Sequence, residues 1–175
     1  MNQEIILVND RDEPIGYTSK YEAHKTGQLH RAFSVFLHSG DRLLIQQRAD
    51  DKYHSPGLWA NTCCSHPRKG EELKAAVDRR LMEEAGITCE TEEVFSFIYK
   101  YRFEEELYEH EFDHVFLGEY SGEYRINTQE AKAFKWVRSD ELLRNLEEHP
   151  EAYACWFRIA APRVIELINK AREQV

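Results

Sequence analysis

The sequence predicts an α/β chain in which a mixed β-sheet lies between helices. Three observations carry this. Residues 32–37, 43–47, 94–103 and 107–120 are rich in β-branched, aromatic and leucine side chains and read as strands. Residues 71–85 and 153–173 read as helices. The two kinds of element do not alternate in a regular strand–helix–strand order, so a mixed sheet packed between helices is expected.

Taken in order, residues 5–8 (Ile-Ile-Leu-Val) form a first strand, and Asn9, Asp10, Arg11 and Asp12 with Pro14 and Gly16 supply turn chemistry. Ser39-Gly40-Asp41 folds residues 32–37 back onto residues 43–47 as a hairpin. Residues 49–56 then form a long loop turned by Pro56-Gly57, and loops of this length often carry function. The helix at 71–85 opens with acidic residues, favourable at the positive end of the helix dipole, and stops at Gly86. Strands follow at 94–103, 107–120 and 134–137, and Ser139-Asp140-Glu141 opens a short helix. Within the helical tail at 153–173, Pro162 predicts a kink or a helix start. The chain shows no internal repeat, low-complexity stretch or linker.

Composition narrows the function classes. At 175 residues the chain suits one domain, 1–175, large enough to bury a core. Apolar residues at 42% and charged residues at 31% are those of a soluble globular protein, and no apolar run reaches the length of a membrane span. Met1-Asn2-Gln3-Glu4 lacks the basic region of a secretory signal, so the apolar run after it reads as a strand. A net charge of −9 argues against nucleic acid as partner, since binding it needs a basic surface. A small phosphorylated substrate needs only a few placed cations. The four cysteines, Cys63, Cys64, Cys89 and Cys155, include an adjacent pair poorly suited to a mutual bridge. They read as reduced thiols of a cytoplasmic protein, which leaves one free for chemistry.

The helix at 71–85 breaks its own pattern. Leu73, Ala76, Val77 and Leu81 make an apolar stripe, and Arg80 and Glu84 fall inside it, four residues apart and able to pair. A partly buried ion pair that only orients the helix explains the wheel as well as function does. The spacing around it adds more. Glu71, Arg79, Glu83, Glu84 and Gly86 stand in register with the Nudix box, and residues 65–87 resemble a degenerate form of it. Ser65 replaces the opening Gly, and Arg80 replaces a Glu that binds metal in Nudix hydrolases. The second change puts hydrolysis in doubt, whereas an arginine there suits a diphosphate, because its planar fork matches phosphate oxygens.

Over nearly its whole length the chain resembles the type 1 isopentenyl diphosphate isomerases. The resemblance rests on Tyr21-Glu22-Ala23-His24, on Leu29-His30-Arg31-Ala32-Phe33-Ser34, on Asn61-Thr62-Cys63-Cys64-Ser65-His66-Pro67 and on Glu109-His110-Glu111. It implies a Nudix fold with N- and C-terminal additions. The implied activity is the interconversion of isopentenyl and dimethylallyl diphosphates in isoprenoid precursor biosynthesis. That reaction protonates an unactivated alkene, passes through a tertiary carbocation and removes a proton two carbons away. It needs an acid and a base on opposite faces of the substrate, in a dry pocket.

By resemblance, His24, His30, His66, Glu109 and Glu111 hold a divalent transition metal, a set suited to Mn²⁺ or Zn²⁺. Glu109 and Glu111, two apart on an expected strand, share one face. Cys64 is implied as one acid/base group and Glu111 as the other, with Tyr101 hydrogen-bonding beside Glu111. Cys64 needs a lowered pKa to act as a thiolate. Trp156 is implied to face the carbocation. Lys20, Arg48, Lys52 and Arg80 match basic positions for the diphosphate, and Mg²⁺ would bridge the phosphates to Glu84 and the Cys64 carbonyl. No flavin or nicotinamide is called for. His38, His54, His110, His114 and His149 read as surface or packing residues. The expected partner is a small diphosphate, handled by a monomer or small homo-oligomer without nucleic acid or membrane. The alternatives are a Nudix hydrolase of a nucleoside diphosphate derivative and a non-catalytic Nudix-fold binding module.

Overall fold

A computed structural model describes residues 3–52 and 54–174. Met1 and Asn2, part of the opening read as free of a leader, lie outside the described residues, as does one position of the 49–56 loop. The elements run β1 (Glu4–Val8), β2 (Pro14–Ser19), α1 (Lys20–Thr26), β3 (His30–Ser39), β4 (Arg42–Arg48), β5 (Trp59–Ala60) and β6 (Cys63–Ser65). They continue as α2 (Leu73–Ala85), β7 (Glu92–Arg102), β8 (Tyr108–Glu119), β9 (Ala131–Arg138), α3 (Ser139–Glu148) and α4 (Cys155–Glu173).

The nine strands form one mixed sheet centred on β3. β3 runs parallel to β8 and antiparallel to β4 and β6, while β7 and β9 add antiparallel pairs outside β8 and β4. Strand alternation divides the core. Phe33, Val35 and Leu37 point to one face and pack with Val77 and Leu81 of α2. Phe36 points to the other face and packs with Phe157, Val164 and Ile165 of α4. Each of these aromatic or branched side chains contributes about 1.5–3 kcal/mol by leaving water. The sheet is thus covered on both faces, as expected from the sequence.

The hairpin over 32–37 and 43–47 is the β3–β4 pair, turned at Gly40 with φ 58°. Three local expectations differ. Pro14 and Gly16 belong to strand β2, not to a turn. The turn lies earlier, where Asn9 Oδ1 accepts from the backbone N–H groups of Arg11 and Glu13, and Pro14 takes the first place of a strand, where its missing donor costs little. Helix α2 begins at Leu73, because Glu71 is used instead to accept from the Arg68 N–H and to pair with Arg79. Pro162 lies inside α4, well past its start at Cys155. It sits on the exposed side, so the carbonyl of Arg158 that it leaves without a helical donor is on the solvent-facing turn.

Candidate active site

Four elements bring the metal-ligand candidates together. His24 lies on α1, His30 opens β3, His66 follows β6, and Glu109 and Glu111 share one face of β8. The parallel β3–β8 register sets His30 opposite Glu111. His110, on the other face of β8, donates its Nδ1–H to the Gly27 carbonyl at 3.0 Å and ties the end of α1 to the strand. One ligand atom from each of the five residues lies within 4.8 Å of the others. His24 Nε2 is 3.2 Å from Glu109 Oε1, His30 Nε2 is 3.2 Å from Glu111 Oε2, and His66 Nε2 is 2.6 Å from the same oxygen. His30 Nδ1 meets the Gln28 carbonyl at 3.0 Å, which presents Nε2 to the cluster.

The electrostatics fit a cation. Burial pulls His24 down to about 2 and His66 to about 4, so both rings are neutral, the form that ligates metal. Burial, reinforced by the neighbouring Glu111, pushes Glu109 well above the usual carboxylate range. Burial would raise Glu111 too, but hydrogen bonds from His30 and His66 outweigh it and hold that carboxyl well below the range. Glu109 Oε2 is buried without a hydrogen-bond partner among the described residues. A buried oxygen of this kind needs a partner, and a borderline divalent metal suits the nitrogen and oxygen donors present.

Cys64 and its neighbour Cys63 point to opposite faces of β6: Cys63 into the α2 core, Cys64 toward the α4 side and the cavity. The segment before them is stitched down. Thr62 Oγ1 donates to the Leu44 carbonyl at 2.6 Å, and Asn61 Nδ2 donates to the Cys63 and Val35 carbonyls at 2.6 and 3.2 Å. Arg48 Nη1 stands 3.9 Å from Cys64 Sγ. Burial nevertheless pushes the Cys64 thiol up to about 12, against the pull of Arg48. A thiolate at Cys64 needs the pull of nearby cations to exceed this burial. All four cysteines are free.

A second correction concerns the tyrosine. Tyr99, paired across β7–β8 with Glu111, donates its hydroxyl to Glu111 Oε1. Tyr101 is two residues further toward the rim, opposite Glu109, 41% exposed and packed on Phe103. Both share a strand face, and only the long-range register separates them.

Trp156 opens α4 and is buried, with its Nε1–H donating to Asn61 Oδ1 at 2.9 Å. A register shift between Gln47 and Arg48 breaks the alternation of β4, and the Arg48 guanidinium carbon lies 5.3 Å from the Trp156 ring centroid. His54, read from sequence as a surface or packing residue, is corrected to a wall of the cavity. It is buried, 3.5 Å from Glu109 Oε2, stacked on Phe103 and edge-on to Trp156. Its place in the long loop was its only sequence signal. The remaining histidines are structural: His38 meets the Gly40 carbonyl, His114 sits between Asp12 and Glu93, and His149 is exposed.

Lys20, Arg48, Lys52 and Arg80 line one cavity together with Cys64, Glu84, Glu109, Glu111 and Trp156. Its volume is about 60 Å³, and it adjoins a larger cleft of about 1040 Å³ that shares Lys20, Lys52 and Arg80. Burial lowers the Lys20 ammonium from its ordinary value, with Glu109 opposing. Arg80 pairs with Glu84 at 2.6 Å, as the helical spacing predicted, and also with Glu83 at 2.7 Å. Burial works against its charge, and Glu84, Cys63 and Glu130 together outweigh the burial and raise it. Two further residues of this wall carry no sequence signal: Gln46, whose Nε2 donates to the Thr62 carbonyl at 3.0 Å, and Glu130, 2.7 Å from Lys52.

Comparison with known proteins agrees with this geometry. Residues 28–158 match the NUDIX domain. The chain is 48% identical over 166 residues to isopentenyl-diphosphate Delta-isomerase 2 of Aromatoleum aromaticum, covering 94% of this chain and 88% of that protein. It is 46% identical over 164 residues to the isopentenyl-diphosphate Delta-isomerase of Burkholderia multivorans, covering 93% of each. Among solved structures, a Deinococcus radiodurans protein superposes with a TM-score of 0.77 at 21% identity, over 92% of this chain and 98% of that one. A MutT protein of Methanosarcina mazei gives 0.64 at 19% identity, over 81% and 96%. These last two share the fold. With a Nudix fold, a box altered at Arg80 and relatives of nearly equal length, the chain belongs to the NUDIX family and, within it, to the isopentenyl-diphosphate Delta-isomerase family.

Proposed function

We propose that this chain, as one Nudix-type catalytic domain over residues 1–175, interconverts isopentenyl diphosphate and dimethylallyl diphosphate. One observation carries the reading: a thiol (Cys64), a carboxyl (Glu111) and an indole (Trp156) line the same small cavity as four cations. Proton-transfer groups and an aromatic wall thus stand beside diphosphate-binding charges.

Lys20, Arg48, Lys52 and Arg80 hold the diphosphate and fix the five-carbon tail in the buried end of the cavity. Cys64 and Glu111 form the acid/base pair: one gives a proton to the alkene, the other takes one from the far side of the allyl unit, and a turnover exchanges their protonation states. The Tyr99 hydroxyl holds Glu111 Oε1 in place, the role expected of Tyr101. The Trp156 ring offers a π face to the tertiary carbocation without a nucleophile to trap it. Exclusion of water protects the cation.

His24, His30, His66, Glu109 and Glu111 would hold a divalent transition metal, Mn²⁺ or Zn²⁺, and Glu84 with the Cys64 carbonyl would receive Mg²⁺ brought with the diphosphate. A cation at the first site draws charge from Glu111 and makes its protonated form a stronger acid. The free cysteines and acidic net charge support a cytoplasmic protein, a monomer or small homo-oligomer, acting on a small molecule and not on nucleic acid or membrane. Among the described residues no helix is long and apolar enough to cross a membrane.

Hydrolysis is the weaker reading, because Arg80 stands where a Nudix hydrolase carries a metal-binding Glu. Purified protein given isopentenyl diphosphate and divalent metal should yield dimethylallyl diphosphate and no inorganic phosphate. Phosphate release without isomerisation would reverse the assignment.

A further inference from the structure

Lys52 and Arg80 meet at one carboxylate. Glu130 Oε2 accepts from Lys52 Nζ at 2.7 Å and lies 3.3 Å from Arg80 Nη2. The chain entering β9 holds Glu130 in position: Asn127 Nδ2 donates to the Glu83 carbonyl, and Asn127 N–H to the Glu84 carbonyl, both at 3.1 Å. The carboxylate is therefore anchored to the same turn of α2 that carries Arg80. Lys52 comes from the loop after β4, far away in sequence. One oxygen joins the loop to the helix, on the wall shared by the small cavity and the adjoining cleft.

A carboxylate held between an ammonium and a guanidinium presents the charge and the oxygen that a phosphate would present to the same two groups. Without it, two partly buried cations would repel one another and relax outward.

We infer that Glu130 is an internal placeholder for the substrate's diphosphate, holding Lys52 and Arg80 in position and competing with the incoming anion for both. This rests on the reading of Lys52 and Arg80 as diphosphate ligands. The placeholder is a specificity device. A ligand gains at this site only if it brings more negative charge than the carboxylate it displaces, which favours a diphosphate over a monophosphate or a carboxylate.

The test is a titration of the metal-loaded protein with inorganic pyrophosphate and with orthophosphate, followed by calorimetry. Glu130→Gln keeps the shape, removes the charge and should tighten pyrophosphate binding about 3–10-fold, the range set by two partly exposed ion pairs. It should tighten orthophosphate by a larger factor, so that discrimination between the two falls, and KM for isopentenyl diphosphate should fall by a factor similar to that for pyrophosphate. Pyrophosphate should also raise the Tm of Glu130→Gln more than that of the parent. A residue that only braces the fold would not tighten anion binding. Unchanged or weaker pyrophosphate binding in Glu130→Gln, while Lys52→Met and Arg80→Met weaken it about tenfold, would overturn the placeholder alone. If Lys52→Met and Arg80→Met leave pyrophosphate binding unchanged, the diphosphate reading falls and the placeholder with it.

Discussion

The indole Nε1–H of Trp156 donates to Asn61 Oδ1 at 2.9 Å, and the same amide's Nδ2 donates to the Cys63 carbonyl at 2.6 Å. One buried side chain thus sets the Trp156 ring and the peptide that leads into Cys64 relative to each other. Asn61→Leu should lower kcat more than it raises KM, at a cost of about 1–3 kcal/mol for the groups left unpaired. In a Trp156→Phe background, where no indole N–H exists, the same change should cost less. Equal losses in both backgrounds, measured by steady-state kinetics, would mean that the two residues are uncoupled.

The ring itself has a separate test. Trp156→Phe keeps an aromatic face and should retain measurable turnover, while Trp156→Val should lose a further ~1–2 kcal/mol of transition-state stabilisation. Equal kcat in the two variants would assign the ring to packing only.

Tyr99 and Tyr101 give a clean pair because they share a strand face. Tyr99→Phe removes the donor to Glu111 and should lower kcat about tenfold or more. Tyr101→Phe, at an exposed site, should stay within about twofold of the parent. The reverse order of losses would restore Tyr101 to the site.

The metal cluster is tested by composition. His66→Ala and Glu109→Ala should lose bound transition metal and activity while staying folded, as elemental analysis and circular dichroism would report. Full metal occupancy in both would remove the cluster from the account.

These residues also mark what could be read in advance. His24, His30, His66, Glu109 and Glu111 were named as a set by the family resemblance, His24 and His30 by that alone, and period-two alternation put both glutamates on one face. Alternation could not choose between Tyr99 and Tyr101, since both obey it and the choice depends on the β7–β8 register. His54 and Glu130 meet the site across loops, through contacts to Glu109 and Lys52 that no local spacing encodes. The burial that acts on the Cys64 thiol was not readable in advance, because sequence shows nearby cations but not how deeply the thiol lies.

Glu71 supplies a stability test outside the cavity. Hydrogen bonds from Arg79 hold its carboxyl below the ordinary value of 4.5. A depressed pKa contributes stability that is present above the unfolded value and lost as pH falls through the folded one. Glu71→Gln should therefore cost ~1 kcal/mol at neutral pH, with the difference from the parent shrinking below the unfolded value and vanishing only below the folded one. A denaturation difference independent of pH would show that the ion pair is not its source.

The central claim is that Cys64 and Glu111 work on opposite faces of the allyl unit, and isotope exchange tests it most directly. Metal-loaded protein incubated with isopentenyl diphosphate in heavy water, followed by nuclear magnetic resonance of the recovered diphosphates, should place deuterium at both C2 and C4. Cys64→Ala, with metal and substrate binding intact, should form no dimethylallyl diphosphate, because a methyl group can neither give nor take a proton. Near-parental isomerisation by metal-loaded Cys64→Ala would contradict the account and point to a single base moving the proton along one face.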